Sequence, residues 1–470
     1  MPSDTSAPRP SRRSGVRRAC NVVAVSLAIG LLGACSTTAQ RVEPVPAQAQ
    51  PGQLSWWADF HDPILSQLVG QALQANTSIR TARAALQQAR ALRDVKQAST
   101  APRLDASGLA SRSQVEANDP VNNFTAGLDA SWEVDVFGAS RSGLAATEAD
   151  AQAASANLRD VQVSVAAEVA LTYIQLRAYQ AQLGIAQRNL VSQQETLQIT
   201  QWRAQAGLTT TLEVAQAKTT VAQTSAQLPA LQTGIARTRH SLAVLTNQGP
   251  RDLDPLLDPV RALPLVNPSQ LPPVPADTLR QRADVRAAEY RIQAALARVD
   301  AADAARYPSF SLGGTLSLNA ATLAGLGNGA TLAGKLLGSV AIPLFDAGAA
   351  QGQLLAQQAV LEQARAAYQS TVLTALKDVE DALIALDKDQ ERLKQLQDAA
   401  DAAEVAALLA QNRYASGLID FQTVLQTQRT LLSAQDSAAS AQADHSADHV
   451  RLIKALGGGW RPAPPGTDGP

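Results

Sequence analysis

A chain of 470 residues with 4% aromatics and a formal charge of −1 lacks the ring-bearing side chains for large globular cores and the basic excess for a nucleic-acid partner. Alanine and glutamine are abundant instead, a composition suited to helices packed closely along their length. No nucleophile, base and orienting group can be assembled, so neither an enzyme nor a cofactor is expected.

The chain begins with a basic stretch, Arg12, Arg13, Arg17 and Arg18, then an apolar run from Val22 to Leu32 that is too short to span a bilayer. Residues 1–34 therefore read as an export signal. The run ends in Leu32-Gly33-Ala34-Cys35, which resembles a bacterial lipobox with Cys35 as the lipidated first residue of the mature chain. Ser36 stands where an aspartate retains lipoproteins at the inner membrane of enteric bacteria, so outer-membrane lipids are the expected partner. Cys20 would leave with the signal, and the mature chain is expected to hold no disulfide and no thiolate-bound metal. Residues 35–56, rich in Pro, Gln and Ala, form a tether from lipid to body.

A helix is predicted from Asp62-Pro63 to about Ser99, with Leu65, Leu68, Val69 and Leu73 on one face. The period then changes. Phe124, Ala126, Leu128, Ala130, Trp132, Val134 and Val136 alternate with polar residues or glycine, and Phe310, Leu312, Leu316 and Leu318 alternate with Ser311, Thr315 and Ser317. Weaker partners lie at about 103–113 and 334–345. Such alternation marks tilted strands with lipid on one side, at Phe124, Leu128, Trp132, Phe310, Leu312 and Leu316, and water on the other. Four strands cannot close a barrel, and open edges are not tolerated in lipid, so a homotrimer with twelve strands is expected.

Two proline-free segments follow the strand pairs, from Ala139 to about Gln205 and from Asp346 to about Tyr414. At ~1.5 Å per residue each spans ~100 Å and needs helical partners throughout. Helices returning over about 210–247 and 418–456 would pair with them, with a kink at Pro229. Between the halves, 249–275 is dense in proline and leucine and reads as a surface connector without a helix. The turns repeat as well: Arg203-Ala-Gln-Ala-Gly207-Leu208-Thr209 and Arg413-Tyr414-Ala-Ser-Gly417-Leu418-Ile419 lie about 210 residues apart. The chain is thus one unit built twice, at 57–248 and 276–460, followed by a tail at 461–470.

An ordered set of segments carries a family resemblance: Trp57-Ala-Asp-Phe60 with Asp62-Pro63, Asp135-Val136-Phe137-Gly138, Arg282-Ala-Asp284-Val285-Arg286, Tyr307-Pro308, Ile342-Pro343-Leu344-Phe345-Asp346, Arg413-Tyr414-Ala-Ser-Gly417 and Ala455-Leu456-Gly457-Gly458-Gly459-Trp460. The chain resembles the outer-membrane efflux proteins, the TolC-like family, most closely its lipoprotein branch that serves RND drug-efflux pumps. The resemblance implies a mainly α fold with a small membrane β-barrel: a long antiparallel α-helical barrel plus four strands per chain, closed as a 12-stranded barrel in a trimer. It implies adaptor docking at tips formed by Arg203, Gly207, Leu208, Thr209, Arg413, Gly417 and Leu418. It places a latch and gate at Glu213, Tyr414, Ile419, Asp420, Thr423 and Gln426. Thr423 and Gln426 stand where relatives often carry acidic residues, and Ile419 where TolC-type latches carry a cation, so a less negative gate is expected, with Asp420 its nearest carboxylate.

Passive conduction from a periplasmic adaptor and an inner-membrane RND-type pump to the exterior is the function so implied. A protein-secretion outlet of an ABC exporter is the alternative within transport, and a lipid-anchored periplasmic coiled-coil scaffold is the alternative outside it. Two further motifs have plainer explanations. Gly325-Leu-Gly327-Asn-Gly329 lacks the Gly-Lys-Ser/Thr of a phosphate loop and reads as a hairpin loop. His445 and His449, four apart beside Asp444 and Asp448, have metal-compatible spacing but no third ligand, so a solvated helix face is expected and no metal.

Overall fold

The computed structural model describes residues 56–114, 119–265 and 278–458. Cys35 and the tether up to residue 55, Gly459, Trp460 and the tail lie outside the described residues, whereas Trp56 is buried in the core. No helix among those described is long and apolar enough to cross a membrane.

The first helical segment is two helices, not one. α1 (Pro63–Ala75) and α2 (Thr77–Ala98) are separated at Asn76. Asp62 Oδ1 accepts from the backbone N–H groups of Ile64 and Leu65 at 2.8 and 3.2 Å, and Asn76 Oδ1 accepts from Ser78 and Ile79 at 2.8 and 3.3 Å. Each therefore satisfies N–H groups that a helix start leaves open. The Asn76 amide also donates to Leu245 O at 2.8 Å, and this distant bond fixes the break where periodicity alone sees a continuous face.

Four strands follow the predicted places: β1 (Arg103–Ser113), β2 (Val121–Val134), β3 (Ser309–Ala320) and β4 (Thr331–Ala341). They form one antiparallel sheet in the order β1-β2-β3-β4. β4 starts and ends earlier than the 334–345 expected, and it ends ahead of Pro343, which has no N–H to give a ladder. β2 stops at Val134, where Val136 N turns back to Val134 O at 2.9 Å.

The long helices repeat in length as well as in sequence. α3 (Ala139–Gln205) and the later α8 (Ala349–Ala415) have 67 residues each, while α4 (Thr211–Leu245) and α9 (Phe421–Ala455) have 35 each. Both long helices start from a left-handed glycine, Gly138 at φ 88° and Gly348 at φ 84°, a conformation that carries little penalty only without a Cβ. A carboxylate caps each: Asp135 Oδ2 accepts from Arg141 N and Asp346 Oδ2 from Ala350 N, both at 2.8 Å. α4 continues through Pro229, which removes one ladder donor without ending the helix.

The main core gathers Leu65, Leu68 and Val69 of α1, Val169, Tyr173 and Leu176 of α3, Leu242 of α4 and Val450 of α9. Here the connector departs from expectation. Its described part contains a helical turn, α5 (Asp254–Leu257), and buries Leu253 and Leu257 in that core rather than wrapping the surface. Its backbone is held from α3, with Arg177 Nη1 donating to Pro259 O at 2.8 Å and Gln180 Nε2 to Leu257 O at 2.9 Å. The second half opens with α6 (Thr278–Gln281) and α7 (Ala283–Ala304), the latter packed between α3 and α8.

Candidate functional site: sheet face and hairpin tips

Directly paired residues of antiparallel strands share a face of the sheet. Ala106, Leu128, Leu316 and Gly334 form one row across all four strands, and Leu104, Ala130, Gly314 and Leu336 form the next. Trp132 pairs with Leu312, and Phe124 with Ala320. Most bulky apolar residues of the strands thus fall on one face, where Leu104, Leu128, Trp132, Leu312, Leu316 and Leu336 are exposed, Leu336 at 79%, while Leu109, Val121 and Leu337 lie exposed on the other. Phe124 and Phe310 on the same face are half-buried.

The opposite face carries Asp105, Asp129, Glu133, Thr315, Lys335 and many serines. Its side chains bond across strands: Ser107 Oγ to Asp129 at 2.6 Å, Thr125 to Asn319 at 2.7 Å, Ser311 to Ser339 at 2.5 Å. One face suits hydrocarbon and the other water. At the helix-side end of the sheet Phe137 stacks on Tyr307 at 5.0 Å, with Phe345 91% exposed beside the strand ends. In the sequence these rings stand only within the segments that carry the family resemblance. Their clustering at a strand end matches the aromatic girdles of membrane barrels.

At the far end of the helices the two tips are superposable in their bonding. Leu208 N returns to Arg203 O at 2.8 Å and Leu418 N to Arg413 O at 2.9 Å. Gly207 (φ 71°) and Gly417 (φ 74°) supply the left-handed residue that such a helix stop requires. Leu208 and Leu418 stand out into solvent, as does Arg413.

The geometry then separates the tip residues into two groups. Arg203 reaches from the first hairpin to the second: its Nη1 donates to Tyr414 O at 2.8 Å, and its guanidinium lies 4.6 Å from the Tyr414 ring centroid. Tyr414 and Phe421 pack at 5.4 Å in a small apolar cluster with Ala217, Ala410, Val424 and Leu425, against which Ile419 lies. Glu213, in contrast, accepts from the Thr209 hydroxyl inside its own tip, and the Tyr414 hydroxyl is buried with no hydrogen-bond partner among the described residues. The Arg203–Tyr414 contact was not legible in the sequence, since the two residues are 211 positions apart.

Thr423 and Gln426 are exposed on the first two turns of α9, and Asp420 caps the start of that helix. Its Oδ1 accepts from the Thr423 hydroxyl at 2.5 Å and the Thr423 amide at 2.8 Å, which together hold its carboxyl below the usual carboxylate range. Asp420→Ala is expected to do two things: speed amide exchange in the first turn of α9, and reduce cation preference in single-channel recordings. Unchanged selectivity with faster exchange would leave Asp420 as a cap alone.

His445 and His449 do not form the expected solvated face. The structure buries both, with Asp448, where α9 packs on α8 and α3. Periodicity could not reveal this, because the helix in front of them is Ala-rich and presents few bulky residues to mark the buried side.

The family model described as outer membrane efflux protein matches residues 68–248 and 274–458, most of the chain. The chain belongs to this family. It is 31% identical over 426 residues to the toluene efflux pump outer membrane protein TtgF of Pseudomonas putida, covering 88% of this chain and 87% of that protein. It is 31% identical over 460 residues to the pyoverdine export outer membrane protein OpmQ of Pseudomonas aeruginosa, covering 92% and 95%. Among solved structures it is similar to the outer-membrane channel OprN, with a TM-score of 0.82, 36% identity and coverage of 87% and 94%. VceC of Vibrio cholerae matches with a TM-score of 0.81 at 27% identity, covering 87% of this chain and 100% of that one. The protein is an outer-membrane efflux component with the TolC-like fold, mainly helical with one four-stranded sheet, and its solved relatives are outer-membrane channels.

Proposed function

We propose that three copies of this chain form the exit duct of a tripartite efflux system, anchored by lipid at Cys35 and passively conducting small molecules from periplasm to exterior. The carrying observation is the sheet: one exposed face where most bulky apolar residues gather, one face rich in hydrogen-bonded polar residues, and two unpaired edges at β1 and β4. Unpaired backbone groups in hydrocarbon cost several kcal/mol each, so β4 of one copy must find β1 of the next. Three copies give twelve strands around a polar lumen. The ~100 Å helices then reach through the periplasm, and the exposed tip leucines, with Gly207, Gly417, Thr209 and Arg413, meet a periplasmic adaptor. Energy comes from an inner-membrane pump of RND type, which also selects the substrate. Glu213, Tyr414, Ile419, Asp420, Thr423 and Gln426 line or latch the aperture at the tips.

Deletion of the gene in its host, scored against antibiotics, dyes, organic solvents and metal ions, tests this. A complemented rise in sensitivity and dye accumulation is the expected result and names the substrate class. Loss of a secreted protein with no change in sensitivity would assign the duct to an ABC exporter, and the absence of either phenotype with paralogous outlets removed would favour a scaffold.

A further inference from the structure

Three titratable side chains of α9 face the packed interior, and conduction makes no use of them: His445, Asp448 and His449. Their spacing of three and four places them on one helix face. Asp448 and His449 are each 1% exposed, and the two imidazoles stand edge to face with centroids 4.9 Å apart. Nδ1 of His445, both ring nitrogens of His449 and Asp448 Oδ2 are buried without a hydrogen-bond partner among the described residues. Asp448 Oδ1 accepts from Arg451 Nη1 at 2.5 Å. Buried polar groups are nearly always paired, so four orphan atoms in one turn call for a physical account.

Metal ligation does not supply it. No three His, Cys, Asp or Glu side chains among the described residues come together as ligands, and two imidazoles alone fall short of a metal's donor set. Proton exchange remains. The charged groups around the cluster come from each neighbouring helix. α8 brings Asp389, with Arg392 3.5 Å from it and 3.7 Å from Asp444 of α9. α3 brings Asp160, across a cavity of about 420 Å³ that Asp448, Arg451 and Lys454 also line. Arg282 and Asp284 at the head of α7, with Asp378 and Asp381 of α8, complete that cavity's charged wall. α4 meets α9 through Thr220 and Arg429, well toward the tips. The cavity gives water and protons a path to Asp448.

We propose that His445 and His449 make the packing of α9 against α8 and α3 proton-sensitive, with Asp448 as an opposing counterweight, so that acidification loosens this part of the helical wall. The signs follow from burial. Burial holds His445 below the ordinary imidazole value, and burial with His445 alongside holds His449 down to about 4. An imidazole that stays neutral when packed but ionises when released stabilises the packed state above pH 6.5. That contribution is lost as pH falls from 6.5 toward the folded value.

Asp448 acts in the other direction. Burial pushes its carboxyl up to about 6 against the pull of Arg451, so acidification from about 6 toward 3.8 favours the packed state. Two imidazoles outweigh one carboxyl, and the net response to acid is loss of packing. Nothing in this depends on the duct itself.

The test is the thermal midpoint of the purified full-length protein in detergent, compared between about pH 7.5 and about pH 5. The wild type is expected to lose several degrees, the double variant His445→Gln/His449→Gln to lose less than half of that, and Asp448→Asn to lose more than the wild type. A double variant that keeps the whole wild-type shift overturns the proposal, and so does a wild type that shows none. Histidine hydrogen exchange of the unmutated protein, read by mass spectrometry with exposed His61 and His240 as internal references, decides the matter if the double variant fails to fold. Midpoints for His445 and His449 well below the references support the proposal, and midpoints equal to them overturn it.

Discussion

Leu128→Arg is expected to abolish assembly in the outer membrane, and Leu316→Arg to do the same. Both side chains lie near the middle of an 11-pair ladder, directly opposite each other on the apolar face, and each is about half exposed in the single chain. An arginine facing lipid at the bilayer midplane costs ~2–4 kcal/mol in a membrane barrel. A threefold assembly would carry the substitution three times, so the expected cost approaches the whole stability of an ordinary domain, ~5–15 kcal/mol. The matched control is Ser317→Arg on the polar face, next in sequence to Leu316 and turned toward water, where the same charge should be tolerated. The measurement is the amount of folded, heat-modifiable oligomer in outer-membrane fractions of cells expressing each variant. A full wild-type yield for Leu128→Arg would mean that this face does not meet lipid, and the barrel would go with it.

β2 and β3 were legible in the sequence because apolar and polar residues alternate along most of their length, whereas β1 and β4 showed only weakly, with Leu109 and Leu337 breaking the alternation. The long helices were legible because nothing breaks them. What failed to show has a common cause: a residue whose role is set by a partner far along the chain. Asn76 reads as one more polar residue on a helix until its amide is seen on the Leu245 carbonyl. Leu253 and Leu257 sit among prolines and look like loop residues, yet both are buried, and Gln180 and Arg177 of α3 hold the carbonyls of Leu257 and Pro259. His445 and His449 looked solvated because alanine dominates α9, and a helix rich in alanine has no strong apolar stripe to betray its buried side. At the tips the turn motif was plain from Gly207 and Gly417. The cross-hairpin contact of Arg203 was not, since no local pattern records it.

That contact leads to the second large effect. Arg203→Ala should loosen the tip of the second hairpin and raise basal conductance through the aperture. The substitution removes a charge-assisted hydrogen bond to Tyr414 O, a class worth ~1.5–3 kcal/mol. It also removes a cation over the Tyr414 ring, worth ~0.5–1 kcal/mol at an exposed site. The guanidinium is half-exposed and water will compensate part of this, so ~1.5–2 kcal/mol per chain is the better figure, roughly ten- to thirtyfold in the balance between held and released tips. Arg203→Lys keeps the charge but loses the planar fork that can bond the carbonyl and cover the ring together, and should fall between wild type and alanine. Because the turn itself is closed by backbone bonds from Leu208 to Arg203 O and from Leu418 to Arg413 O, neither substitution should unfold the hairpins. Purified channels in planar bilayers give the readout, with circular dichroism confirming intact helices. Wild-type conductance in Arg203→Ala channels with native helix content would show that the bond is incidental to gating, and would leave the apolar packing of Tyr414 on Phe421 as the next tip contact to test.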